Sequence, residues 1–168
     1  MVKLEEYLLF YFCQPPCMKK LLLLILCSIP LLSLAQNHTQ PYLNLEEAKR
    51  IVDAAEERAL QDNWNVVIAI LDGGGHLIYL RKMDGTQIGS VEVAQAKAKS
   101  AVFFKRPTKV FEDLVNAGNT RILSLPNAVA VEGGIPIFKD GVCIGAIGVS
   151  GVTSAQDAII AEAGLKAL

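Results

Sequence analysis

Apolar and polar positions along this chain follow helical and strand periods in turn. Leu45, Ala48, Val52, Ala55 and Ala59 recur at helical spacing, and Glu46, Lys49, Glu56 and Glu57 fall off that face. Asn44 with Glu47 three residues later makes a capping-box pattern, so the spacing predicts a helix from 45 to about 61. Asn65 to Leu71 is a continuous β-favouring run, Asp72-Gly73-Gly74-Gly75 a turn, and His76 to Arg81 a returning strand. The first of these strands is apolar on both faces, which requires cover on both sides of its sheet. Val91 to Phe104 is alanine-rich and helical in spacing, and Pro107 breaks it. Thr108 is placed to cap a short helix carrying Val110, Phe111, Leu114 and Val115, with Gly118 ending it. Residues 119–127 read as irregular. Ala128 to Phe138 and Val142 to Ser150 form a second hairpin across Asp140-Gly141, a strong turn signal, and Ser154 with Asp157 marks a last helix over 155 to about 167.

Helix, hairpin, two helices, hairpin, helix is the order of an α+β three-layer sandwich. It implies an antiparallel sheet of about five strands with helices on both faces. Glycines 133, 134, 145, 148 and 151 crowd the second hairpin. Glycine weakens a strand, so its abundance points to bulges or to close approach by another backbone or a ligand.

The N-terminal end follows different rules. Leu21 to Leu34 is an almost unbroken apolar run of about 14 residues, preceded by Met18, Lys19 and Lys20 and followed by Ser33-Leu34-Ala35. This is the layout of a secretory signal peptide over 18–35. The run is short of the ~20 residues a membrane-spanning helix needs, and Pro30 interrupts it, so no stable membrane anchor is expected. Residues 1–17 put Glu5 and Glu6 ahead of the basic pair and read as an upstream extension, with synthesis starting at Met18. Residues 36–43 read as a flexible segment and 44–168 as the folded domain. The expected destination is the periplasm or the exterior.

Removing residues 1–35 changes what chemistry is available. Cys13, Cys17 and Cys27 go, leaving Cys143 without an intramolecular partner and no cysteine-based zinc site. The remaining 133 residues carry 13 Lys+Arg against 15 Asp+Glu, so there is no basic excess to hold a phosphate backbone, and nucleic acid is disfavoured. Ser150 sits in Gly-Val-Ser-Gly and not in a nucleophile elbow. Asp72-Gly-Gly-Gly leads into a strand and not a helix N-terminus, which argues against a phosphate cradle. No Cys-x-x-Cys-His motif is present for covalent haem attachment.

The string Glu132-Gly133-Gly134-Ile135-Pro136-Ile137, then Asp140-Gly141-Val142 and Ile144-Gly145-Ala146-Ile147-Gly148-Val149-Ser150-Gly151, closely resembles the signature of the GlcG/HbpS family. Met83-Asp84-Gly85, the segment from Lys97 to Lys109, and Gln156-Asp157 are similar to that family's other motifs, so the resemblance covers about 44–168. It implies a profilin-like sandwich that assembles into homo-oligomers, octamers among them. It also implies non-covalent binding of haem b, and for some relatives a partnership with a membrane sensor kinase. The family is also labelled haem-degrading, and related domains occur in corrinoid adenosyltransferases. Two positions depart from the family pattern. Val152 stands where a second glycine is common, and Ala158 where an acidic residue is common, which puts any ligand role at those positions in doubt.

Under that resemblance His76 is a candidate iron ligand, with a solvated turn residue as the plain alternative. His38 is a second candidate, from a flexible arm. Met83 is a soft ligand or a packing residue, and Thr108 or Thr120 a hydroxyl ligand or a cap. Lys97, with Lys99, Lys105 and Arg106, would meet haem propionates or simply form a solvated helix face. Phe103 and Phe104 would flank a porphyrin or pack in the core. Asp84 with Arg81 makes a polar site or an ion pair. Gly148, Ser150 and Gly151 border a ligand or a subunit contact, or pack the sheet against a helix. The leading expectation is an exported haem-binding protein acting as carrier, buffer or sensor accessory. The rivals are an enzyme or enzyme accessory for a small carboxylate or aromatic metabolite, with Arg81, Asp84, Lys97 and Asp157 as its polar residues, and a structural oligomer without a ligand.

Overall fold

The computed structural model describes residues 40–168. The leader at 18–35, the extension at 1–17 and His38 lie outside the described residues. Helix α1 spans Leu45–Gln61, strand β1 Val67–Asp72, β2 Leu77–Lys82, α2 Ser90–Phe104 and α3 Lys109–Asn116. A 3-10 turn at Thr120–Ser124 leads to β3 at Gly134–Lys139, β4 at Val142–Ser150 and α4 at Ser154–Leu165. The four strands form one antiparallel sheet in the order β2-β1-β4-β3.

The expected layers are present, and strand parity explains them. Successive β residues point to opposite faces. Val66, Ile68 and Ile70 therefore face α1 and α4, joining Ile51, Val52, Ala55, Ile147, Val149 and Ile160 in one core. Val67, Ala69 and Leu71 face α2 and pack with Ala94, Ala98, Ala101, Val102 and Ala146. The α1 cap is reciprocal as expected: Glu47 N donates to Asn44 Oδ1 at 2.9 Å, and Asn44 N to the Glu47 carboxylate at 3.1 Å. Leu43, just before it, is buried in the first core.

The crowded glycines serve the contact with α2. Gly148, Ala69 and Gly134 lie side by side across three strands, because Ala69 and Gly134 both pair with Gly148. A Cβ at Gly148 would stand 2.0 Å from the Ala94 carbonyl oxygen and 2.6 Å from Ala98 N, and one at Gly134 would stand 2.3 Å from the Lys97 carbonyl oxygen. The helix backbone rests directly on the backbone of the sheet. The Asp140-Gly141 turn has φ of +51° and +77° at its two central residues, the positive pair that a tight hairpin of this kind needs.

Four strands are present among the described residues where about five were expected, and β3 begins at Gly134 instead of Ala128. The stretch before it finds its hydrogen bonds elsewhere. Val129 N donates to Ser100 Oγ at 3.1 Å, and Glu132 N to the Glu112 carboxylate. Side chains of α2 and α3 thus satisfy amides that a neighbouring strand would otherwise take. Gly133, at φ +118°, turns the chain into the sheet. β3 is an edge strand carrying the buried Pro136, and its register with β4 shifts between Ile137 and Phe138. An edge is where a strand tolerates proline, whose missing N–H faces away from the ladder.

Two cap assignments shift. The Thr108 hydroxyl makes no cap bond to α3 and instead accepts from Gly134 N at 3.0 Å, tying α3 to the start of β3. The last helix is capped by Thr153 with Gln156, one residue earlier than expected, which releases Asp157 for another partner.

The close α2 contact gives a direct test. Gly148→Ala should lower the unfolding free energy by about 3 kcal/mol, since backbone cannot yield to the new methyl as a side chain would. Gly89→Ala, where a Cβ meets nothing within 4 Å, should change it by less than about 0.5 kcal/mol. Urea denaturation of both variants reads the difference.

Candidate functional site

His76 closes the β1–β2 turn, and the turn is built around Asp72. The Asp72 carboxylate accepts from Gly74 N at 2.8 Å and from His76 N at 2.9 Å, with Gly75 at φ +82° completing the reversal. The imidazole is 83% exposed, and its Nδ1 lies 3.3 Å from the same carboxylate. A carboxylate beside a ring nitrogen is the kind of neighbour that orients a metal-binding histidine. Partial burial pushes the Asp72 carboxyl up, but the His76 and Gly74 amides and the imidazole outweigh it, and its pKa lies below the usual value.

Beside this turn stands an apolar and basic surface. Phe103 on α2 is 45% exposed, and its ring packs so closely on Gly75 that a Cβ there would meet Cε1 at 2.5 Å. The Lys99 ammonium lies 5.4 Å from the centre of the Phe103 ring. A cavity of about 290 Å³ opens between turn and helix, bounded by Leu71, Gly75 and Leu77 on one side and Glu92, Gln95 and Lys99 on the other. The structure thus pairs Phe103 with Lys99 against Gly75, the residue before His76. Asp72, which orients the imidazole, was visible in the sequence only as a turn former. Its second use follows from its place four residues before a histidine in that turn.

The other expected site residues are dispersed. Met83 belongs to the core beneath α1, Asp84 is exposed on the loop after β2, and Gly148 lies under α2. Ser150 is 6% exposed with its hydroxyl 3.3 Å from Ser90 Oγ, and Gly151 abuts the Asn65 carbonyl. Thr108 is fully buried and Thr120 exposed. Phe104 packs edge-on against Phe111, with ring centres 5.1 Å apart.

Lys97 is 1% exposed. Its ammonium donates to Asp157 at 2.8 Å and to the Val149 carbonyl at 3.0 Å, so it is spent inside the protein and does not reach a surface ligand. Asp157 also accepts from Val152 N at 3.2 Å. Burial pushes the Asp157 carboxyl up, against the pull of Lys97. Arg81 sits in a separate network on the other face of the sheet, bonded to Glu56 at 2.6 Å and Asp53 at 2.8 Å and to Tyr79 Oη at 3.1 Å. Arg81 and the Lys97–Asp157 pair therefore do not meet in one polar pocket. Among the described residues no group of three or more His, Cys, Asp or Glu is placed to hold a bare metal ion, and no helix is long and apolar enough to cross a membrane.

Two outcomes follow from these charges. Asp157→Ala leaves the Lys97 ammonium buried without its partner and should cost about 3–5 kcal/mol, while replacing both residues together by Met and Leu should restore most of that loss. Thermal and urea unfolding of the single and double variants measures this. For Asp72, whose folded pKa is lowered, the stabilisation is present above the unfolded value of about 3.9 and is lost as pH falls through the folded pKa. The Gly74 and His76 amides should therefore be protected from hydrogen exchange at neutral pH and lose that protection in acid, a step absent in Asp72→Asn.

With this geometry in place, the chain can be set beside known proteins. The model of the HbpS-like family, described as haem degrading protein HbpS-like, matches residues 43–166. Protein GlcG of Escherichia coli strain K12 is 42% identical over 112 residues, which cover 67% of this chain and 84% of GlcG. Among solved structures, the haem complex of PduOC superposes with a TM-score of 0.70 at 31% identity, covering 76% of this chain and 96% of that one. A double mutant of Streptomyces reticuli HbpS superposes with a TM-score of 0.72 at 28% identity, covering 80% of this chain and 92% of that one. The chain belongs to the HbpS-like family.

Proposed function

We propose that this protein binds haem b non-covalently on the face made by the β1–β2 turn and α2. The observation that carries the reading is the likeness, at 31% identity, to a domain solved as its haem complex. The local chemistry fits. His76 would offer its exposed imidazole to the iron, Phe103 and Leu77 would offer flat and apolar surface, and Lys99 would offer an ammonium to a propionate. Bound haem would supply an iron centre for redox or oxygen chemistry, with the axial ligand and the surrounding polarity tuning it.

The adjoining cavity of about 290 Å³ is at the lower limit of the ~300–1,000 Å³ of pockets that enclose a small ligand. The porphyrin would therefore lie against the surface, with a second copy of the chain covering its outer face. Assembly as a homo-oligomer, an octamer in the fullest form, suits that requirement. His38 would stand as a second ligand from the segment ahead of α1. With residues 18–35 acting as an export signal, the protein would work in the periplasm or outside the cell as a haem carrier or buffer, or as the accessory of a membrane sensor kinase.

Haemin titration of the purified protein, followed by the Soret band, tests the reading. Saturation at a fixed ratio to protein is expected, and His76→Ala should weaken binding by about tenfold or more, as loss of an axial ligand or its support does. Asp72→Asn should shift the Soret maximum with a smaller loss of affinity. Absence of a stoichiometric Soret change in the wild-type protein would remove the assignment. An unchanged titration in His76→Ala would remove this site.

A further inference from the structure

A second and larger cavity lies between α3 and α4, over the Glu132-Gly133-Gly134 entrance to β3. Its volume is about 620 Å³, well inside the ~300–1,000 Å³ range of small-molecule sites. It shares no lining residue with the His76 face. We infer that it binds a small organic cation with an apolar body, of the alkylammonium or guanidinium class.

The walls set the apolar half of that description. Val110 and Pro107 come from the α3 side, Ile135 from β3, and Ala158 and Leu165 from α4. The charges set the other half. Asp113, Glu132 and Glu162 line the cavity against only Lys109 and Lys166. Lys109 is committed to Asp113 at 2.9 Å and stands 4.0 Å from Glu132. Glu162 makes no ion pair among the described residues, and Lys166, four residues on at the C-cap of α4, offers it only the weak attraction of an exposed pair. Glu132 is 17% exposed. Burial raises its pKa, with Glu112, Asp113 and Glu162 adding to that against Lys109. A cation in the cavity relieves this repulsion, a neutral ligand leaves it, and an anion adds to it.

The floor is held in place before any ligand arrives. Glu112 accepts from Glu132 N and from the Ser154 hydroxyl at 3.4 Å, linking the floor to α3 and to the start of α4. Gly133 packs against the buried ion pair, where an added Cβ would lie 2.9 Å from both Lys97 Nζ and Asp157 Cβ. A fixed floor reduces the ordering cost of binding.

Calorimetric titration of the purified protein with n-hexylammonium, n-hexanol and n-hexanoate tests the site. Hexylammonium should bind at one equivalent per chain, with hexanoate weaker by about tenfold or more, and Glu132→Gln and Glu162→Gln should each weaken hexylammonium by about fivefold, as loss of a charge-assisted contact does. Glu162 is exposed, so its variant decides the matter should Glu132→Gln fail to fold. No saturable heat with hexylammonium, hexanoate binding as tightly, or an unaltered affinity in Glu162→Gln would overturn the inference. Haemin titration of the same variants keeps the two sites apart. Loss of haem in His76→Ala should leave hexylammonium binding intact, and the glutamine variants should leave the Soret titration intact.

Discussion

The rest of the domain depends on one contact, the backbone of α2 resting on the row Ala69, Gly148 and Gly134. Nothing larger than hydrogen fits at Gly148 or Gly134, because helix carbonyls occupy the space a Cβ would need. That fixes the height of α2 above the sheet, which in turn fixes where its side chains fall. Lys97 is brought level with the end of β4, where its ammonium reaches the Val149 carbonyl and Asp157. Phe103, at the C-terminal end of the helix, is brought against Gly75 in the β1–β2 turn. The interior ion pair and the exposed His76 face are thus placed by the same contact.

This contact also explains why the glycines of the second hairpin invited two readings. A strand rich in glycine is compatible with a ligand or with a close backbone neighbour, and the sequence contains no term that separates them. The neighbour turns out to be α2 at Gly148 and Gly134, and Asn65 at Gly151. Lys97 was ambiguous for the same reason. As a lysine among other basic residues it reads as solvated, although its spacing from Ala94 and Ala101 sets it on the buried stripe of α2, and only the crossing of α2 over the end of β4 puts it beside Asp157. The layers themselves were legible, because β1 is apolar at every position from Val67 to Leu71 and so needs a helix on each face.

Where expectation and structure part, side chains have replaced backbone as hydrogen-bond partners. The extra strand length expected from Ala128 rested on β-favouring residues, and those residues are there. Ser100 and Glu112 take the amides instead, and neither advertises that role locally. Thr108 was read as a cap because it precedes a helix, yet its hydroxyl serves Gly134, 26 residues away. At the His76 turn the opposite holds. Asp72 and His76 are four residues apart, their interaction is local, and the candidate ligand was visible from the chain alone.

Pro136 carries a consequence for how copies of this protein can meet. It sits on the outer strand of the sheet, beside a register shift, and it removes a donor from the edge that another β-strand would pair with. Growth of the sheet from one copy into the next is therefore impeded on that side. On that side, contacts between copies are directed toward helices and turns, and the sheet does not run on from one copy into the next.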